Sequence, residues 1–228
     1  MSERRFSEQE VAALAREAYE RGEATFPLRR ERAALLMIDM QEEFVRPGWT
    51  CYWVPEATRR VPVMKRLLEG CRALGVPVIH TLFSRPHGHL DRPRTGAAMP
   101  NRYPGIAADP AWFRDSRIID ELGPRPEEIV LRKPSYGAFY DTPLQTILTN
   151  LGRDTIVVAG TLTNYCCGAT ARQGYERGFR VFVVDDATAT DDPAAHEAEL
   201  RVLRRGFARV LSTDQALAEL RDGAPAGR

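Results

Sequence analysis

The chain has 228 residues, 43% of them hydrophobic, which is enough for one sizeable core and short of two comfortable domains. Its 32 Lys and Arg against 31 Asp and Glu leave a net charge of +1, so there is no electrostatic footprint for nucleic acid or an anionic membrane surface. No apolar run approaches the roughly 20 residues of a membrane span, and the charged N-terminal stretch has no apolar signal core. A cytoplasmic protein with no nucleic-acid and no membrane partner is expected.

Residues 7–21 begin with Ser7 as N-cap and Glu10 three positions on, a capping box, followed by Val11, Leu14 and Ala18 at helical spacing. This predicts a helical arm over residues 1–30, a single domain over 31–221 and a frayed tail over 222–228. Ala33–Asp39 is an apolar run of strand length that stops at an acid. Continuous apolarity means burial on both faces, as in a parallel sheet, and Asp39 then stands at the carboxyl end where such sheets place their ligands. An alternative is that Asp39 caps a following helical turn.

Phe44–Val54 reads as an aromatic loop, 61–74 as a helix ending at Gly75 with Cys71 on its buried face, and Val76–Phe83 as a second strand. Ser84–Asp115 is a long irregular stretch rich in Pro, Gly and Arg, in which Tyr103, Trp112 and Phe113 argue for packing over a site. A short helix at 118–122 precedes a third strand, 128–132, with Lys133 beyond its end. A helix follows from Thr142 and Pro143 to Gly152, then a fourth strand at 155–159 that runs into GTLTNYCC.

The remaining segments are a helix from Asn164 to Arg177, a strand at 181–186, a helix at 193–207 with Ala194, Ala198, Leu200 and Leu203 as its apolar side, a strand at 208–211 and a helix at 213–220. Strands alternating with helices predict an α/β fold, a doubly wound, mostly parallel six-stranded sheet with helices on both faces. The cysteines Cys51, Cys71, Cys166 and Cys167 are read as thiols. With no CxxC pair and no HExxH, there is no zinc signature. His87 and His89 form an H-x-H in the long stretch and are read as exposed polar residues.

Asp39, Lys133 and Cys166 each follow a buried strand directly, and strand ends in a doubly wound sheet share one edge. An acid, an amine and a thiol gathered there suit nucleophilic catalysis. The acid takes the thiol proton and returns it to a leaving amine, while the ammonium holds the thiolate. A helix N-terminus beside Cys166 favours a lowered thiol pKa, with Cys166 alkylated ahead of Cys51 and Cys71. Cys167, about 100° further round the helix, points into packing.

D-M-Q-x-x-F at Asp39–Phe44, K-P-x-Y-x-A-F at Lys133–Phe139 and G-x-x-T-N-x-C-C-x-x-T-A at Gly160–Ala171 resemble the isochorismatase-like cysteine hydrolases, in particular the branch of N-carbamoylsarcosine amidases and ureidoacrylate amidohydrolases. The resemblance covers about Ala33 to Leu211. It implies Asp39, Lys133 and Cys166 as a catalytic triad and a cis peptide at Thr161-Leu162. It further implies an oxyanion hole from the backbone N–H groups of Leu162 and Cys166, a homo-oligomer, and hydrolysis of a small amide or ureido compound. The nicotinamidase branch binds a metal through a D-x-H segment after the first strand; the corresponding stretch here has no His, so a site with no metal and no cofactor is expected.

Position places Phe44, Trp49, Tyr52, Trp53, Tyr136, Phe139 and Asn164 around the substrate, with Arg85, Arg92 and Arg94 as partners for a carboxylate. Two other readings stay open. An enol-ether hydrolase of isochorismatase type would need Asp39 and tolerate loss of Cys166, and a non-catalytic member of the fold would need none of the three.

Overall fold

The computed structural model describes residues 5–85, 87, 90–92, 106 and 111–222. Strand β1 (Ala33–Ile38) is buried at every position, and its alternate residues enter two different cores. Ala33, Leu35 and Met37 point to one side of the sheet, and Ala34, Leu36 and Ile38 to the other. Burial on both faces is what the unbroken apolar run required.

Around β1 lie β2 (Val78–Phe83), β3 (Ile129–Lys133), β4 (Thr155–Thr161), β5 (Arg180–Ala189) and β6 (Arg209–Leu211). The spatial order is β3-β2-β1-β4-β5-β6, and every pairing is parallel. The order reverses direction between β1 and β4, so the carboxyl ends of those two strands flank the switch point of the sheet.

On the first face lie α2 (Glu42–Val45) and α3 (Pro55–Ala73), and α3 buries Met64, Leu67, Leu68 and Cys71, whereas α1 (Glu8–Arg21) buries none of its residues.

 The last helix, α7 (Thr213–Asp222), completes that face with Ala216, Leu217 and Leu220. On the second face, α4 (Leu144–Asn150) buries Leu144 and Leu148. Beside it lie α5 (Gly168–Glu176) and α6 (Pro193–Gly206). Among the described residues no helix is long and apolar enough to cross a membrane.

Several boundaries differ from those the sequence suggests, each for a local reason. Helix α3 starts at Pro55, before the apolar spacing begins, because a proline lacks only an N–H that a first turn leaves unpaired anyway. Strand β5 runs past Asp185 and Asp186 to Ala189; its register against β4 shifts between Val158 and Gly160, and the irregularity accommodates the two acids. Gly160 sits in that irregularity at φ +115°, where a Cβ would lie 2.1 Å from the Ile38 carbonyl oxygen of β1, so only glycine fits.

Helix α6 is rotated from the expected face. Its buried residues are His196, Leu200 and Leu203, at i, i+4 and i+7, while Ala194 and Ala198 are exposed. In α1 the capping box of Ser7 and Glu10 is formed, but Val11 and Leu14 are 54% and 55% exposed. The arm instead rests on α6, with Arg201 over the Tyr19 ring at 5.6 Å.

The outer edge of the sheet is tied to α3 by a buried ionic cluster. Arg72 of α3 donates through Nε and Nη2 to Glu128, just before β3, at 2.7 Å each, and His80 of β2 lies 3.1 Å from the same carboxylate. Burial alone would raise the Glu128 pKa, but Arg72, the Arg125 N–H and His80 outweigh it and hold the value down to about 2. A depressed carboxylate contributes stability that is complete above its ordinary pKa of about 4.3 and is lost as pH falls toward the folded value. Urea unfolding followed between pH 5 and pH 2.5 should therefore show the wild type losing roughly 2–3 kcal/mol more than Glu128→Gln over that window; parallel pH profiles would contradict this.

Candidate active site

Asp39 leaves β1 with φ +48°, a left-handed conformation in which aspartate is among the few tolerated side chains. Thr81 of β2 holds it there. The Asp39 N–H donates to the Thr81 carbonyl oxygen at 3.2 Å and to Thr81 Oγ1 at 3.1 Å, and the Thr81 hydroxyl donates to Asp39 Oδ1 at 2.6 Å. Oδ2 is left facing Lys133 Nζ at 2.7 Å, with both side chains fully buried.

Lys133 is the last residue of β3, and β2 separates β3 from β1. Two strand spacings amount to roughly 9–10 Å, a gap that a long four-carbon stem can bridge from one strand end to the other. The stem passes over the end of β2, placing Nζ 5.4 Å from the centre of the Phe83 ring. The ammonium has three N–H donors and three acceptors around it: Asp39 Oδ2, the Ser135 carbonyl oxygen at 2.9 Å and Cys166 Sγ at 3.4 Å. Burial works against the charge, but the Asp39 carboxylate and the Cys166 sulfur outweigh it, and the Lys133 pKa lies above its ordinary value.

Cys166 arrives from the other side, after β4. The helix there does not open as an α-helix. Thr163–Cys167 form a π turn that continues into α5, and the Cys167 N–H reaches back five residues to the Leu162 carbonyl oxygen at 3.0 Å. Such wide turns recur at functional positions. The peptide bond Thr161-Leu162 is cis. Cys166 Sγ accepts from Lys133 Nζ at 3.4 Å and feels the charges of both Lys133 and Asp39, whereas Cys167 is fully buried in the core of the second face.

The lowered Cys166 pKa expected from the sequence is corrected here. Burial pushes the thiol up to about 12; Lys133 opposes that shift and Asp39 adds to it. The group rests as a thiol beside a carboxylate rather than as a preformed thiolate. Burial likewise raises Cys71 to about 12, and Cys51 is the half-buried cysteine of the four, so Cys166 has no head start over Cys51 in alkylation.

Gln41 and Glu43, which the sequence reading left without a role, anchor the rim. The Gln41 side chain pairs with both backbone groups of Phe83, accepting from N at 2.8 Å and donating to O at 3.2 Å. Glu43 is 1% exposed and accepts from the Phe113 N–H at 3.0 Å and the Ser116 hydroxyl at 2.6 Å. These bonds fasten the returning end of the 84–115 stretch, whose Phe113 ring packs on Phe44, Tyr52 and Phe83. A run of polar residues after a strand-ending acid was the available signal.

The residues expected around substrate fall into two groups. Tyr136 lies 5.4 Å from Tyr165, and Arg92 stacks over both Phe83 and Tyr136, with Arg85 over Phe83 and Phe113; Phe83 also faces the Lys133 ammonium. Asn164 Oδ1 accepts from the Thr190 hydroxyl at 2.6 Å. Phe44 is 7% exposed and packs on Phe113, and Phe139 stacks on Phe179 in the core of the second face. Trp53 donates to Thr58 at 2.9 Å, and Trp49 lies beneath Arg46. His87 is exposed; His89, Arg94 and Tyr103 lie outside the described residues. Among the described residues no group of three or more His, Cys, Asp or Glu is placed to hold a metal ion.

Residues 33–215 match the model of the isochorismatase domain. The chain is 35% identical over 189 residues to nicotinamidase 3 of Arabidopsis thaliana, covering 80% of this chain and 86% of that protein. It is 30% identical to the ureidoacrylate amidohydrolase RutB of Methylorubrum extorquens, covering 86% and 92%. The crystal structure of a cysteine hydrolase from Pseudomonas syringae superposes with a TM-score of 0.77 at 27% identity, covering 88% of this chain and 97% of that one. The chain belongs to the isochorismatase family, within the isochorismatase-like cysteine hydrolases.

Proposed function

We propose that this hydrolase is a cysteine amidohydrolase that cleaves the C–N bond of a small amide or ureido compound, with Cys166 as nucleophile. The observation that carries the reading is the contact chain Asp39 Oδ2 to Lys133 Nζ at 2.7 Å and Lys133 Nζ to Cys166 Sγ at 3.4 Å, assembled from the ends of three strands. A thiol that rests protonated needs a base at the moment of attack, and the Asp39 carboxylate, which shares the Lys133 ammonium with the sulfur, is the candidate.

The sulfur attacks the carbonyl carbon as its proton passes to Asp39, and the oxyanion forms against the backbone N–H groups of Leu162 and Cys166. The C–N bond breaks as Asp39 returns that proton to the leaving nitrogen, giving a thioester. Water, deprotonated by Asp39, attacks the thioester; the acid leaves and the thiol is restored. Lys133 keeps its charge throughout, stabilising first the carboxylate and then the developing thiolate.

The guanidinium groups of Arg85 and Arg92 beside Phe83 and Tyr136 favour a small planar substrate that carries a carboxylate, such as an N-carbamoyl amino acid or ureidoacrylate. The relatives named for nicotinamide and ureidoacrylate chemistry support an amide or ureido carbonyl as the point of attack. We further propose that the active species is a homo-oligomer.

Ammonia release from N-carbamoyl amino acids, ureidoacrylate, maleamate, nicotinamide and biuret tests the reading. Wild type should hydrolyse at least one of them, Cys166→Ala should lose about 10⁴-fold or more in kcat while remaining folded, and Cys167→Ala should keep most of the activity. Full turnover by Cys166→Ala would remove the mechanism. Thr81→Val deprives Asp39 of the hydroxyl contacts at 2.6 and 3.1 Å; kcat should fall about 10- to 100-fold, with a stability cost of about 1–2 kcal/mol. Unchanged kcat in Thr81→Val would mean that the carboxylate needs no such support.

A further inference from the structure

The π turn that carries Cys166 is braced from α6 by a residue that the mechanism above does not use. His196 Nδ1 lies 2.8 Å from Thr163 Oγ1, the hydroxyl of the first residue of that turn. The other ring nitrogen, Nε2, faces Arg60 Nη1 of α3 at 3.3 Å. A guanidinium has donors and no acceptor, so Nε2 presents its lone pair, Nδ1 carries the proton, and the ring donates to Thr163. Burial and the Arg60 charge both hold the His196 pKa below its ordinary value, which keeps this neutral form.

Arg60 is itself fixed, donating to the Asp185 and Thr188 carbonyl oxygens at 2.7 and 2.6 Å in the irregular part of β5. A chain of polar contacts thus runs from β5 through Arg60 and His196 to Thr163, three residues before the nucleophile. The ring also lines a cavity of about 260 Å³ together with Pro55, Arg59, Arg60 and Asp191. On its far side the turn is held by α5, where Thr170 donates to the Cys166 carbonyl oxygen at 2.7 Å and accepts from the Ala138 N–H at 3.0 Å.

We infer that His196 is a positioning residue for the proposed hydrolysis: its Nδ1–H, bonded to Thr163, sets the π turn that keeps Cys166 against Asp39 and Lys133. The inference rests on Cys166 being the nucleophile. It separates the two ring nitrogens, because an asparagine amide reproduces the Nδ1 position and a glutamine amide the Nε2 position. His196→Asn keeps the donor to Thr163, whereas His196→Gln keeps only the acceptor toward Arg60, and Thr163→Val removes the hydroxyl from the other side.

Turnover of the best amide substrate and alkylation of each cysteine by iodoacetamide, followed by mass spectrometry, test this on the intact chain. His196→Gln and Thr163→Val should lower kcat about tenfold with KM within about twofold, and His196→Asn should retain most of the rate. In the two impaired variants Cys166, no longer held in its buried place, should be alkylated several-fold faster, while Cys71 in the core stays as protected as in wild type. A rise at Cys71 as well would signal general loosening and overturn the specific role, as would wild-type kcat and wild-type alkylation in both variants. The alkylation pattern needs no substrate, so seeing it in a protein that hydrolyses no amide would reject the amidase reading and leave the role of His196 standing.

Discussion

The buried ion pair of Asp39 and Lys133 is the interaction on which the rest of the site depends. Two charges taken out of water are costly unless each is paired and its remaining hydrogen-bonding capacity is met. Here one carboxylate oxygen is held by Thr81 and the other by the ammonium, whose further donors go to a backbone carbonyl oxygen and to sulfur. The pair spans β2, so it holds the ends of β1 and β3 at a set distance. It also leaves the thiol one place to sit, between a base and a cation.

A parallel sheet makes this possible because all its strands end on the same edge. Asp39 ends β1 at the centre, Lys133 reaches it from two strands away, and Cys166 comes from β4 on the opposite side. Each arrival is locked by a different neighbour: Asp39 by Thr81, the stem of Lys133 by the Phe83 ring, and the cysteine turn by Thr170 and His196. Burial makes each contact electrostatically stronger and excludes the water that would otherwise compete for the same groups. The same burial raises the Cys166 pKa and keeps the sulfur protonated, so under the proposed mechanism proton transfer to Asp39 belongs to the attack itself.

The rim is built on a different principle. Glu43 is buried and meets N–H and O–H donors rather than a cation, and Gln41 pairs with the backbone of Phe83 as another strand residue would. Together they seat the aromatic cluster around Phe113 against the end of β2. Arg85 and Arg92 stack on the rings of that cluster, which brings positive charge to the mouth of the site without placing it against the Lys133 ammonium.

By itself the sequence determined the strands, because runs such as AALLMI and TIVVAGT are apolar without alternation and can be buried only between two layers of helices. It also determined Asp39, Lys133 and Cys166 as residues of one edge, since each comes at or after the end of a strand in a parallel sheet, whereas the need for glycine at 160 came from the close approach of β1. The tertiary structure alone decided what those residues meet. The protonation of Cys166 depends on how much water reaches the sulfur, and no local pattern encodes that. The roles of Thr81, Glu43 and His196 depend on which strand or helix lies across from them. His196 illustrates the point: its spacing with Leu200 and Leu203 marks a buried face of α6, but only the packing of α6 against the turn, with Arg60 behind the ring, assigns its proton to the nitrogen that faces Thr163.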